Sequence, residues 1–176
     1  ITKEDELLLL DQVYVMAPLA DKVPCCPEQI VIEFVEDNAV PVLVNGPLVA
    51  ILLRNIIDNA IKYTPAKGNV LITVSGLERF LEICVEDSGP GIAPDQYEKS
   101  LERFHRCVET ANRVKGTGLG FSIVDRIAAI HNADLVLGVS QFGGLKVTVL
   151  FPLPIKPVDQ SWQKKLSFFF LSLRLR

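Results

Sequence analysis

Residues that bind transition metals are scarce in this sequence. It has two histidines and four cysteines among 176 residues, and Cys25 and Cys26 are adjacent, a spacing that tetrahedral zinc sites do not use. A zinc centre is therefore not expected. The cysteines read as reduced, buried thiols of a cytosolic protein, with Cys84 inside an apolar strand. Long apolar runs are also missing. "LLLLDQVYVM" is interrupted by Asp11 and falls short of the roughly 20 apolar residues that span a bilayer. The opening "ITKEDE" is charged and carries no basic region ahead of an apolar one, so no secretory leader is visible. There is no excess of positive charge: the formal net charge is −3, which gives no electrostatic case for a nucleic-acid partner. No internal repeat is present. The first residue is Ile1, so the chain reads as a fragment of something longer.

What is there suits a globular domain. The chain is 49% hydrophobic and 22% charged, enough apolar material for one sizeable core. Residues 1–20 read as helix, with Leu7, Leu10, Val13 and Ala17 at helical spacing. "QIVIEFVED" alternates as a strand, and "AVPVLVNG" is a second short strand candidate. Asn45-Gly46 marks a turn, and Pro47 opens a helix to Tyr63 with Leu48, Leu52, Ile56 and Ala60 on one stripe, widened by Val49, Leu53, Ile57 and Ile61. "NVLITVSG" and "RFLEICVED" form a hairpin pair, followed by a short helix from Pro94. "GTGLGFSIVDRIAAIH" reads as a glycine loop feeding a helix, and "ADLVLGVS" and "GLKVTVLFPLP" as two strands around Gly143-Gly144. Strands in adjacent antiparallel pairs, with helices between the pairs, predict an α+β fold: a two-layer α/β sandwich whose mixed, mostly antiparallel sheet is covered on one face by helices.

Three polar clusters stand out against this frame. In "NIIDNAIKY", Asn55, Asn59 and Lys62 share a helix face away from the apolar stripe. Asn is a poor helix former, so two in mid-helix are unfavourable. They form either a solvated polar face or a site where amide oxygens meet a hard cation such as Mg2+ and Lys62 meets a phosphate. In "VEDSGPGIAP", Asp87 ends a strand beside Gly89 and Gly91. It is either an ordinary turn or a carboxylate placed to accept from an exocyclic amine, with bare backbone approaching a flat ring. In "KGTGLG", Gly116, Gly118 and Gly120 precede a helix N-terminus, which favours phosphate. The loop lacks the Gly-Lys-Ser/Thr of a Walker A motif and the G-x-G-x-x-G spacing of a dinucleotide fingerprint.

Taken together and in this order, the clusters resemble the ATP-binding catalytic domain of sensor histidine kinases, a fold shared with the gyrase, HSP90 and MutL ATPases. "NIIDNAIKYTP" is similar to that family's N box, "DSGPGI" to its G1 box, "ERFHR" to its F box and "GTGLGFSIV" to its G2 box. The resemblance covers about residues 28–154 and points to the quorum- and cation-sensing enterobacterial type. It implies that Asp87 hydrogen-bonds the adenine amino group, with Gly89, Gly91 and Ile92 in the same box and Gly91 leaving room for the ring. It implies that Asn59 ligates Mg2+, with Asn55 one turn away supporting metal or phosphate, that Lys62 contacts phosphate and that Tyr63 lies beside the adenine. Phe104 and Arg106 belong to the region between the F and G2 boxes. Gly116, Thr117, Gly118, Leu119 and Gly120 match the loop that closes over the phosphates, and residues 106–115 the ATP lid. Asn55, Asn59 and Lys62 are thus the expected catalytic set, ATP and Mg2+ the expected ligands.

Position 55 discriminates within this superfamily. The hydrolysing members carry a glutamate there, and an amide cannot act as general base near neutral pH. Asn55 thereby favours phosphoryl transfer over a self-contained ATPase clamp, the main alternative. A non-catalytic nucleotide-binding module and a serine kinase of anti-sigma type are further alternatives. No phosphoacceptor histidine motif is present: His105 lies in the F box and His131 ends the G2 helix, and both read as local structural residues. The implied partners are a histidine-containing dimerisation domain outside this chain and a response regulator, the full-length protein being a homodimer with this part on the cytoplasmic side of an inner membrane. Residues 1–20 read as the end of a preceding helical region or linker, 21–154 as the ATP-binding domain. Residues 155–176 are either an amphipathic interaction segment or a non-native stretch. Their mixed aromatic and basic pattern favours the second.

Overall fold

The computed structural model describes residues 30–38, 40, 42–104 and 118–153. The expected helix over 1–20, the lid over 106–115, His105 and the 155–176 tail lie outside the described residues. Five strands form one sheet: β1 (Val31–Asp37), β2 (Asn69–Gly76), β3 (Phe80–Asp87), β4 (Asp134–Val139) and β5 (Leu145–Pro152), in the order β1-β2-β3-β5-β4. β1 pairs parallel with β2, and the other three pairings are antiparallel. The parallel step follows from the connection, because helix α1 (Gly46–Tyr63) lies between β1 and β2 and a crossover returns the chain in the same direction. The second long helix, α2 (Gly120–Ile130), packs against α1. The α+β sandwich expected from the element order is the architecture found.

The core lies between the helices and one face of the sheet. Period-two alternation puts Val70, Ile72 and Val74 of β2, Leu81, Ile83 and Val85 of β3, and Val147, Val149 and Phe151 of β5 into it, all nearly fully buried. The α1 stripe of Val49, Leu52, Leu53, Ile56, Ile57, Ala60 and Ile61 meets them. Each buried aliphatic side chain of this kind contributes about 1.5–3 kcal/mol. On the opposite face of the sheet, Cys84 pairs across with Thr73 and Thr148, and the Thr148 hydroxyl donates to its sulfur at 3.8 Å.

The bounds of α1 follow from its end residues. The Asn45 side chain caps the helix by accepting from the Leu48 N–H at 3.1 Å, with Pro47 in the first turn. At the other end Pro65 pushes the preceding residue out of helical geometry. Thr64 is extended, and its N–H and hydroxyl both turn back to the Ala60 carbonyl. Helix α2 ends in a Schellman arrangement: Asn132 has φ +51°, its N–H reaches the Ala129 carbonyl, and the Ala133 N–H reaches the Ala128 carbonyl.

One expected strand is not found among the described residues. Residues 42–45 of "AVPVLVNG" carry no strand pairing, although Val42 and Val44 alternate into the core. Their burial explains the strand-like pattern. With Pro41 in the segment and the α1 cap immediately after it, the stretch serves as a buried lead-in to the helix.

Candidate functional site

Helix α1 supplies the first group. Asn55 and Asn59 are both half-buried and one turn apart, and Lys62 is exposed in the last turn. The Asn55 amide nitrogen donates to the Ile51 carbonyl at 2.8 Å, which turns its Oδ1 away from the helix backbone. Gly120, the first residue of α2, comes close to this pair. A Cβ on it would lie 3.2 Å from Asn59 Nδ2 and 3.5 Å from Asn55 Oδ1. The start of the G2 helix therefore sits against the two carboxamides. Lys62 Nζ lies 5.8 Å from the centroid of the Tyr63 ring, over its face.

The second group forms at the end of β3. Asp87 is 5% exposed, and one carboxylate oxygen, Oδ1, accepts the backbone N–H groups of Gly89 at 2.8 Å and Leu145 at 3.1 Å. The other oxygen, Oδ2, has no hydrogen-bond partner among the described residues. Burial pushes the Asp87 carboxyl above its ordinary range, and the Gly89 and Leu145 N–H groups oppose that rise. A Cβ at Gly89 would stand 2.9 Å from both Asp87 Oδ1 and the Tyr63 carbonyl oxygen. The G1 turn thus rests on the last residue of α1, which links the two groups. Gly91 has φ +69°, a conformation in which a side chain is strained. Ile92 packs against the core.

The third group is at the base of the G2 loop. The Phe104 N–H donates to the Gly118 carbonyl at 2.9 Å, so the two described ends of the 105–117 stretch meet. Phe104 is 73% exposed and holds φ +63°. Leu119 caps α2 without any side-chain hydrogen bond, so among the described residues the first N–H groups of α2 have no capping side chain. Arg106, Gly116 and Thr117 lie outside the described residues.

Several residues of the site region are not evident from motif spacing. Gly144 packs directly on Asp87, and a Cβ there would collide with the Asp87 backbone carbonyl and Oδ1. Leu145 supplies the N–H described above, and Gln141 binds the neighbouring Glu86 through its backbone and side-chain nitrogens. Gln141 and Gly144 belong to the β4–β5 connection and Leu145 opens β5, with Gln141 55 residues from Glu86. The one trace in the sequence is the doubled Gly143-Gly144, since Gly143 alone, with φ +86°, satisfies the turn. His131 has a structural place: Nε2 accepts the Asn45 N–H at 3.0 Å, and Nδ1 lies 2.8 Å from the Ile127 carbonyl. The acceptor role of Nε2 places the ring proton on Nδ1.

A family model described as histidine kinase-, DNA gyrase B-, and HSP90-like ATPase matches residues 45–155. The signal transduction histidine-protein kinase BaeS of Escherichia coli is 35% identical over 103 residues, 58% of this chain and 22% of that protein. The sensor histidine kinase RppB of Synechocystis is 40% identical over 111 residues, 62% of this chain and 24% of its own length. The sensor protein QseC of Escherichia coli is 36% identical over 102 residues, 58% of this chain and 21% of that protein. The chain spans less than a quarter of the length of each of these relatives. Among solved structures, the catalytic domain of histidine kinase ThkA superposes with a TM-score of 0.71 at 25% identity, covering 84% of this chain and 97% of that one. The mycobacterial sensor histidine kinase MprB does so at 0.68 and 25%, covering 81% and 95%. With the family model matching residues 45–155, the chain belongs to the histidine kinase-, DNA gyrase B- and HSP90-like ATPase family, and within it corresponds to the catalytic ATP-binding part of the sensor histidine kinases.

Proposed function

We propose that this chain binds Mg-ATP and presents the γ-phosphate to a histidine on a separate dimerisation domain, as one step of two-component signalling. The observation that carries the reading is the half-satisfied Asp87 carboxylate. A buried carboxylate oxygen without a partner is unfavourable, and among the described residues Asp87 Oδ2 has none, beside a glycine turn. An adenine amino group supplies the missing donor. Asn59 and Asn55 fit Mg2+, because carboxamide oxygens are hard ligands and both lie against the start of α2. Asn59 and Asn55 would hold Mg2+ there, and the ion would supply charge neutralisation for the phosphates. Gly118, Leu119 and Gly120, with Gly116 and Thr117, cradle the phosphates at the unfilled N-terminus of α2, and Lys62 contributes positive charge. Phe104 and Arg106 flank the closing loop, and Tyr63 borders the base.

This chain's own part in the reaction is placement rather than covalent chemistry. Asp87 fixes the base, the G2 backbone fixes the phosphates, and Asn55 offers no carboxylate to activate water. Transfer to a nucleophile from elsewhere is then favoured over hydrolysis. We further propose residues 21–154 as the ATP-binding domain, 1–20 as the end of a preceding helical region and 155–176 as a tail outside it. The partners are a histidine-containing domain and a response regulator, in a homodimer whose ATP-binding part faces the cytoplasm beneath an inner membrane. Titration calorimetry with ATP, with and without Mg2+, tests the reading. Micromolar to millimolar binding that Mg2+ strengthens supports it, and no nucleotide binding under either condition overturns it.

A further inference from the structure

Asp87 and its neighbour Glu86 point to opposite faces of β3, and both are buried, at 5% and 7% exposure. They hold the same piece of chain from two sides. On one face Asp87 Oδ1 accepts the Leu145 N–H, and Gly144 lies against the Asp87 carbonyl. On the other, Glu86 Oε1 accepts the Gln141 backbone N–H at 2.9 Å and Oε2 accepts the Gln141 side-chain amide at 3.1 Å. Residues 141 and 145 are the two ends of the β4–β5 turn. Ser140 closes that turn, accepting from Gly143 through its carbonyl and from Phe142 through its hydroxyl, while its N–H donates to the Gly144 carbonyl. The turn's own hydrogen bonds make it a unit, fastened to β3 at its Leu145 end by the strand ladder and Asp87 and at its Gln141 end by Glu86.

We propose that Glu86 and Gln141 are positioning residues for base recognition, setting the aim of Asp87 by fixing the turn that supplies the Leu145 N–H and the Gly144 backbone. The proposal rests on the nucleotide-binding reading above and deepens it by naming what decides adenine over guanine. Guanine carries a carbonyl oxygen where adenine carries its amine. A carboxylate oxygen held firmly at that point accepts from adenine and repels guanine. With the Glu86 side chain removed, the β3–β5 ladder that starts at Glu86–Lys146 still holds the Leu145 end of the turn, together with Asp87, but the Gln141 end loses its side-chain anchor to β3. Oδ1 then follows any shift that the freed end passes to Gly144 and the Leu145 N–H, and Oδ2 loses its fixed direction. A small displacement weakens a directional hydrogen bond sharply and relaxes the rejection of guanine at the same time.

The test measures dissociation constants for ATP and GTP on the full 176-residue chain, well below each variant's unfolding midpoint. The variants are Glu86→Ala, Gln141→Ala, Glu86→Gln and Asp87→Asn. Glu86→Ala is expected to weaken ATP roughly tenfold, leave GTP nearly unchanged and shrink the ATP preference by the same factor. Gln141→Ala, which keeps the backbone bond and loses the side-chain one, is expected to fall between it and wild type. Glu86→Gln is expected to restore the preference, because its amide accepts from the Gln141 N–H and pairs with the Gln141 amide. An unchanged ATP preference in Gln141→Ala and Glu86→Ala overturns the proposal, and Gln141→Ala decides alone if Glu86→Ala does not fold. A merely structural pair would lower the unfolding midpoint without moving that preference. The nucleotide-binding reading fails separately, if Asp87→Asn binds ATP as wild type does.

Discussion

At the scale of single residues, Asp87 and Asn59 make opposite predictions about nucleotide and metal. Asp87→Asn places an amide donor or a re-aimed oxygen where the adenine amine would sit. ATP affinity should fall by roughly 2–4 kcal/mol, a lost hydrogen bond together with an unpaired buried group, read by titration calorimetry. Asn59→Ala should instead weaken Mg-ATP far more than metal-free ATP, since its oxygen serves the ion and not the base. Equal losses with and without Mg2+ would remove Asn59 from the metal. Asp87 also leaves a mark on stability. Burial raises its carboxyl above the ordinary 3.8, so the folded protein holds that proton more tightly than the unfolded chain. The stability this contributes is fully present below 3.8 and is lost as pH rises through the raised folded value. Asp87→Asn carries no such proton. Without nucleotide, urea unfolding across the acid range should show the variant gaining on wild type as pH rises, and parallel profiles would contradict the assigned direction.

At the scale of elements, the helix ends fix where the site residues stand. His131, at the end of α2, accepts the N–H of Asn45, the cap of α1, and its ring meets Phe151 edge-on at 6.0 Å. One side chain thus ties the C-terminus of the G2 helix to the N-terminus of the helix bearing Asn55 and Asn59. His131→Phe retains the ring and deletes the acceptor, leaving the Asn45 N–H unpaired. Thermal or urea unfolding should show a loss of about 1–3 kcal/mol. A change below a few tenths would mean that water replaces the ring nitrogen. The sequence shows His131 as the last residue of a helix and nothing more, because its partner lies 86 positions away. The same limit explains the missed role of residues 42–45. Alternation shows that Val42 and Val44 are buried, but whether an alternating segment pairs as a strand depends on a neighbouring edge, which local pattern does not contain.

At the scale of the whole molecule, the proposed reading predicts nucleotide binding without self-phosphorylation. Incubated with γ-labelled ATP, the chain alone should show no acid-labile label and only slow phosphate release, because its sequence carries no phosphoacceptor histidine motif and Asn55 offers no carboxylate to activate water. Adding a separate histidine-containing domain from the same kinase should give weak transfer, since docking between free molecules lacks the effective concentration of a tether. Acid-labile label on the chain alone would make one of its own histidines the acceptor. Brisk phosphate release without labelled protein would favour an ATPase instead.

The sequence by itself determined the parts governed by local rules. The alternation of β2, β3 and β5, the stripe of α1, the Asn45-Gly46-Pro47 start and the Thr64-Pro65 stop are each written within a few residues. The chemistry of the site residues is also local, because an amide or a carboxylate keeps its donor and acceptor character wherever it lies. Only the tertiary structure decided what those groups face. The approach of Gly120 to Asn55 and Asn59, the seating of Gly144 on Asp87 and the grip of Glu86 on Gln141 all join segments far apart in the chain. Such contacts form when helices and sheet close around one core, and the closure is set by the shape and volume of many side chains at once. No spacing between two residues encodes it. That is why Asp87 stands out in the sequence as a candidate carboxylate, while the turn that binds one of its oxygens becomes visible only in the folded chain.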